Sequence, residues 1–443
     1  MNVLSYGETA MSTPGTLTLL GGLPVRSPTA SWPLWPQGTP ATLNALQRVA
    51  QGGRWTNSGP YQGNPLFERD FARAFAKYCE VPYCVPTDHG TSALVAALEG
   101  LDVGAGDEVI VPALTWIATA TAVTAVNAVP VVVDVDPDTL GMSAEAARGA
   151  LTSRTAALLP VHLYCGMADM DALLAVAEKA GIPLLEDCSH VHGARWKGRP
   201  AGSLGSLGAF SMQQSKVLTS GEGGAVVTKD PSLAHRVEQL RADGRVWSDA
   251  LLDHYDMELV LCGEVQGSNY CLSEFHAAVL LAQLADLDAQ HARRMENAAV
   301  LDALLAEIPG VSALGCSPDV THRVYYCYVL HISPDHFAHR PIAAVGRAIA
   351  AELGIPVFPT YPPLTEVGSY RPRSKRRFHI SSDHLAALET HRHSVPVAHH
   401  AHAEHLCIPH QFLLGDTLDM HDIANAVEKV SRLASTIPAE SGP

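Results

Sequence analysis

The chain has 443 residues, 47% hydrophobic and 17% charged, a globular composition too long for one compact core, so a large domain with a smaller companion is expected. Its formal charge of -15 repels a polyanionic backbone, which argues against a nucleic-acid partner. The nine cysteines (79, 84, 165, 188, 262, 271, 316, 327 and 407) are odd in number and never spaced C-x-x-C, a usage that suits reduced thiols in a cytoplasm.

The opening MNVLSYGETAMSTPGTLTLLGG puts no basic residue ahead of its apolar part, unlike a secretory signal. Residues 1–40, densest in proline at PTASWPLWPQGTP, read as an extended arm leading into a first helix. From about residue 85 helices and strands alternate: TSALVAALEGL is helical, DEVIVPA a strand, TWIATATAVTAVNA a helix, PVVVDVD a strand and TAALLPVHL another. MADMDALLAVAEKAG follows as a helix closed by Gly181, then IPLLED as a strand. The most apolar run, IATATAVTAVNAVPVVVDV, is broken by Thr, Asn and Pro, so it is a helix and a buried strand and not a membrane span. Short apolar strands separated by amphipathic helices predict an α/β fold, a mostly parallel sheet flanked by helices, with ligands at the carboxyl ends of its strands.

Beyond about residue 290 the pattern changes to a helix over HARRMENAAVLDALLAEIPG, an alternating strand RVYYCYVLHI, a helix IAAVGRAIAAELG and a proline-rich loop. The expected division is an arm (1–40), a large domain (41–290), a small C-terminal α/β domain (291–435) and a tail (436–443). HRHSVPVAHHAHAEH (391–405) carries six histidines without a cysteine or an acid at ligand spacing, and reads as a solvated, irregular segment and not a metal site.

Three strand exits carry chemically loaded residues: IPLLED delivers Asp187, VIVPALTW delivers Trp116, and LGAFSMQQSK delivers Ser211 and Lys216. HGTSAL opens a helix with Gly90, Thr91 and Ser92, whose free N–H groups and hydroxyls suit a phosphate. Each alone has an ordinary alternative, as helix cap, core aromatic, surface lysine or generic helix start. Together they are an anion anchor, a flat stacking face, a carboxylate and an amine, the set that pyridoxal phosphate requires. Tyr61 and Arg245 could contact substrate, or equally be a packing tyrosine and a structural arginine.

The chain resembles the DegT/DnrJ/EryC1/StrS family of pyridoxal-phosphate aminotransferases from about residue 17 to about 432, most densely in GRWTNSGPYQG, GTSAL, DEVIVPALTW, LLEDCSHVHGARWKG, FSMQQSKVLTSGEGG and GSNYCLSEFHAA. The resemblance implies a fold type I scaffold with pyridoxal 5'-phosphate, alternating with its pyridoxamine form, as cofactor. It makes Lys216 the Schiff-base lysine and Asp187 the partner of the pyridine nitrogen, with Trp116 stacked on the ring and Gly90, Thr91, Ser92 and Ser211 around the phosphate. Asn269 matches an asparagine that reaches the neighbouring subunit's phosphate, implying a homodimer with shared active sites.

His190 stands where the family usually has glutamine, with an imidazole N–H able to take over its polar contact near the ring hydroxyl, and Cys271 stands where many sugar-nucleotide members have arginine. Within the family, SGPYQG, MQQSKVLTSGEGG, NYCLSEF, TYPPL and LLGDTLDM are most similar to the L-glutamine:2-deoxy-scyllo-inosose aminotransferases of aminoglycoside biosynthesis. That resemblance implies L-glutamine as donor and a keto-cyclitol as acceptor. A 3-amino-5-hydroxybenzoate synthase-like enzyme, whose branch can carry histidine at that position, and an aminotransferase of nucleotide-linked keto-sugars are the alternatives. A dehydratase of the family would replace the lysine by histidine, and a non-catalytic regulator would need a basic DNA-reading segment that residues 1–50 lack.

Overall fold

The fold is described by a computed structural model covering residues 15–61, 63, 66–248 and 255–438. Its centre is a sheet whose strands run, in spatial order, Val129–Val133, Glu108–Pro112, Thr155–Leu158, Leu185–Asp187, Leu207–Ser211, Gly224–Thr228 and Tyr83–Thr87. Parallel bridges Leu158–Leu184 and Val161–Asp187 join its two halves. Neighbours are parallel except around Gly224–Thr228, which runs against both of its partners. EVIVP and VPVVV are buried at every position, as expected of parallel strands covered by helices on both faces.

The parallel strands end at one edge, and the residues singled out above follow them there. Gly90 opens the helix Gly90–Gly100 just after Thr87, Trp116 follows Pro112, His190 follows Asp187, and Lys216 follows Ser211. Helix Met170–Ala180 ends on Gly181 at φ 67°, the left-handed conformation that glycine adopts at no steric cost.

A second sheet, fully antiparallel, has the order Val311–Ala313, Cys327–Ile332, His405–Pro409, Phe358–Pro359. The helix expected over residues 291–310 is longer: it spans Glu274–Leu305, crossing the residue 290 boundary without a break. Its sequence contains neither Gly nor Pro, and Ser273 caps its start by accepting from the His276 N–H. The histidine-rich segment also differs from expectation, because Pro396–Glu404 is a helix with Pro396 at its first turn. Its histidines bond locally: His400 meets Glu404 at 3.2 Å, His399 meets Glu366 at 3.3 Å, and His402 Nδ1 lies 2.8 Å from the Thr360 carbonyl oxygen.

Part of the N-terminal stretch docks on the second sheet's side. Buried Arg26 pairs with Asp419 at 2.6 Å and Asp422 at 2.9 Å, and Trp32 Nε1 donates to the Leu353 carbonyl at 3.0 Å. The first helix, Pro40–Gly52, is closed by a capping box between Thr39 and Thr42. No helix among the described residues is long and apolar enough to cross a membrane, and all nine cysteines are free.

Candidate active site

At the carboxyl edge of the large sheet lies a cavity of about 680 Å³, bordered by Gly90, Thr91, Ser92, Trp116, Asp187, His190, Ser211 and Lys216. Eight of the nine site residues expected from sequence therefore converge. Asn269 does not join them: it is exposed, on a segment bridged to Ala242.

One wall is the start of helix Gly90–Gly100. His89 at the cap position turns its side chain to Glu222, 3.0 Å away, and does not cap the helix, whose first internal bond is Ala93 N–H to the His89 carbonyl. The N–H groups of Gly90, Thr91 and Ser92 thus have no acceptor within the helix, and they add to the positive end of its dipole. Gly90 brings this helix start hard against Ser211, since a Cβ built there would fall 2.4 Å from the Ser211 Cβ. No side chain larger than hydrogen fits, and the serine hydroxyl is brought into the same anion cradle.

Asp187, 4% exposed, is held by neighbours that sequence reasoning missed. Ser189 Oγ donates to Oδ1 at 2.6 Å and the Ser189 N–H adds a bond at 3.2 Å, while Thr119 Oγ1 donates to Oδ2 at 3.0 Å. Having spent its proton there, Thr119 accepts from Thr115 Oγ1 at 2.8 Å. Both carboxylate oxygens are anchored, so the side chain has one orientation.

Lys216 is 8% exposed, and burial lowers its pKa to about 8 against the opposing pull of the Asp187 and Cys327 charges. Its Nζ stands 4.3 Å from the centroid of the Tyr326 ring, which offers a π face to the cation. Tyr326 stacks on His190 on its other flank, centroids 3.9 Å apart, and its hydroxyl is 3.0 Å from Ser215 Oγ. Burial first, then the charge of Lys216, pushes His190 well below its ordinary pKa. Its Nδ1 accepts the Tyr164 N–H at 3.1 Å, which leaves the proton of the neutral ring on Nε2. Trp116, 59% exposed, stands at the opening with its ring 5.8 Å from that of Tyr361.

Behind the site, Glu186 occupies the opposite face of the Asp187 strand. It accepts backbone N–H groups from Gly202 at 3.0 Å, Leu204 at 2.8 Å and Gly205 at 2.8 Å, and meets His162 Nε2 at 3.1 Å. This buried His–Glu pair is saturated by the protein and pins the loop before Leu207–Ser211.

The cavity fits pyridoxal phosphate on these grounds: an uncapped helix start for the dianion, an anchored carboxylate for the ring nitrogen, and a desolvated amine within the same walls. Comparison with known proteins agrees. A profile of the DegT/DnrJ/EryC1/StrS aminotransferase family matches residues 36–428. The chain is 49% identical over 419 residues to an L-glutamine:2-deoxy-scyllo-inosose aminotransferase of Streptoalloteichus tenebrarius, covering 95% of this chain and 98% of that protein. It is 50% identical over 417 residues to the protein of the same name from Streptomyces paromomycinus, covering 94% and 98%. Among solved structures it is similar to 3-amino-5-hydroxybenzoic acid synthase, with a TM-score of 0.76 and 31% identity across 92% of this chain and 99% of that one. A lysine, an acid and a helix start gathered at one sheet edge thus accompany a family match over nearly the full length, and the chain belongs to the DegT/DnrJ/EryC1/StrS aminotransferase family.

Proposed function

We propose that this chain is a pyridoxal-phosphate-dependent aminotransferase that moves the amino group of L-glutamine onto a keto-cyclitol of the 2-deoxy-scyllo-inosose type, in aminocyclitol biosynthesis. The observation that carries the reading is that Lys216 and Asp187, both buried, border one cavity with the unpaired N–H groups of Gly90, Thr91 and Ser92. The donor and acceptor come from the names of relatives at 49% and 50% identity.

When bound, the cofactor supplies an electron sink for the carbanion left by loss of a Cα proton. Gly90, Thr91, Ser92 and Ser211 hold the phosphate through backbone N–H groups and hydroxyls. Asp187, fixed by Thr119 and Ser189, keeps a proton on the ring nitrogen. Trp116 covers one face of the ring, and His190 presents its Nε2–H toward the cavity. Lys216 Nζ would hold the cofactor covalently, and its free amine would take the proton from the donor's Cα. In the cofactor-free chain burial already lowers its pKa to about 8, which favours the free amine that a base must be.

The enzyme works as a cytoplasmic homodimer in which Asn269 completes the partner's phosphate site. Cys271 supports a cyclitol over a nucleotide-linked sugar, because it replaces an arginine with a half-buried thiol whose Sγ bonds the Arg241 carbonyl at 3.5 Å.

The test is mass spectrometry of products from a panel of keto-cyclitols and nucleotide-linked keto-sugars supplied with L-glutamine. An amino-cyclitol with 2-oxoglutaramate is expected. An aminated sugar nucleotide or an aromatic product would overturn the assignment of acceptor.

A further inference from the structure

His235, Cys262 and Glu264 form a second cluster, none of them among the residues bordering the cavity. His235 lies on helix Pro231–Arg241, while Cys262 and Glu264 follow the strand Leu259–Leu261, which pairs with Arg245–Trp247 in a hairpin. Their ligand atoms all lie within 4.8 Å of one another. His235 Nε2 stands 3.2 Å from Glu264 Oε2 and 3.6 Å from Cys262 Sγ.

These two separations are close to two edges of a tetrahedral metal site. With metal–nitrogen and metal–oxygen bonds near about 2.1 Å and a metal–sulfur bond near about 2.3 Å, a tetrahedral zinc site has an N···O edge of about 3.4 Å and an N···S edge of about 3.6 Å. The His–Glu contact alone matches an ordinary pair such as His400–Glu404; what sets this cluster apart is the thiol 3.6 Å from the same imidazole nitrogen.

The ligands sit on a framed backbone. Cys262 N–H and Gly263 N–H both bond the Gly244 carbonyl, at 3.1 and 3.0 Å. Gln239 donates from Nε2 to Glu264 Oε2 at 2.9 Å and accepts the Glu264 N–H at 3.0 Å, fixing the carboxylate as outer partners of metal ligands do. The buried His162–Glu186–Cys188 cluster differs, because backbone N–H groups already fill its carboxylate. All three residues of the surface cluster are at least partly accessible, leaving the fourth corner of the tetrahedron to water.

We propose that His235, Cys262 and Glu264 bind one thiophilic divalent cation of the zinc type, which clips the hairpin base to helix Pro231–Arg241. Binding displaces the thiol proton to solvent and involves no redox step.

Cobalt(II) is the probe. The full-length enzyme, stripped with chelator under reducing conditions, is titrated with cobalt and followed by difference absorbance, then back-titrated with zinc. One equivalent per chain, a thiolate-to-cobalt band abolished by zinc and absent in Cys262→Ser, and affinity at least about tenfold weaker in His235→Ala and Glu264→Gln are expected, with both stripped variants as active as the stripped parent. No saturable band, or a band that survives Cys262→Ser because another cysteine holds the metal, would overturn the assignment.

Discussion

The Nζ of Lys216 lies 4.3 Å above the ring of Tyr326, a contact between elements more than a hundred residues apart in sequence. The ring face replaces part of the hydration that burial removes from the ammonium, an effect of about 0.5–2 kcal/mol. Tyr326→Leu should therefore lower the pKa of Lys216 below about 8 by roughly half a unit or more, and Tyr326→Phe should leave it in place. The pH midpoint for capture of pyridoxal phosphate by the stripped enzyme, followed by absorbance, reads this directly. Equal midpoints in the leucine and phenylalanine variants would remove the ring from the account.

Lys216 also couples activity to stability. In the cofactor-free chain its folded pKa of about 8 lies below the ordinary value of 10.5. The unfolded chain binds more protons between those two values, so stability rises with pH across that window and is reduced below it. Lys216→Met removes the buried ammonium, and should stabilise the stripped enzyme at pH 7 by up to about 3 kcal/mol, with the gain fading as pH climbs past 8. Urea melts at several pH values check the sign, and transamination by the same variant should fall to background.

The contact between Gly90 and Ser211 makes a steric prediction. Gly90→Ala would place a methyl 2.4 Å from the Ser211 Cβ and 2.8 Å from its Cα, so the helix start must retreat from the strand. Pyridoxal phosphate should bind at least about tenfold more weakly by equilibrium dialysis, and stability should drop by about 1–3 kcal/mol. Unchanged retention would mean the phosphate is held elsewhere.

Asp187 is orientated by two hydroxyls, and each can be removed alone. Thr119→Val and Ser189→Ala should slow Cα proton transfer by about tenfold, a hydrogen bond's worth in each case, while the cofactor stays bound. Asp187→Ala should slow it by orders of magnitude. Single-turnover rates with Cα-deuterated glutamine separate the step from donor binding, and a variant whose isotope effect and rate match the parent would exclude its hydroxyl.

Five strands of the large sheet were legible because parallel strands buried on both faces spell out apolar runs, with the loaded residues following them, whereas Tyr83–Thr87 and the antiparallel Gly224–Thr228 were not read. Ser189 was in plain view two positions after Asp187, in a spacing that commonly lets a hydroxyl turn back on a carboxylate. Thr119 was not, because only the lateral placement of neighbouring strands brings it to Asp187. Tyr326 and Tyr361 reach the cavity through the packing of the second sheet's residues against the first, which no local pattern encodes. The early start of the long helix was hidden by expecting a boundary at a change in composition, where Ser273 alone marked the cap.

The cavity wall is a joint construction. Chemistry sits on the central sheet, whereas the aromatic rim of Tyr326 and Tyr361 arrives from the C-terminal third of the polypeptide. Rim and reactivity are thus joined at Tyr326, so a foreign C-terminal third grafted onto residues that keep Lys216 and Asp187 must also keep an aromatic ring beside Lys216.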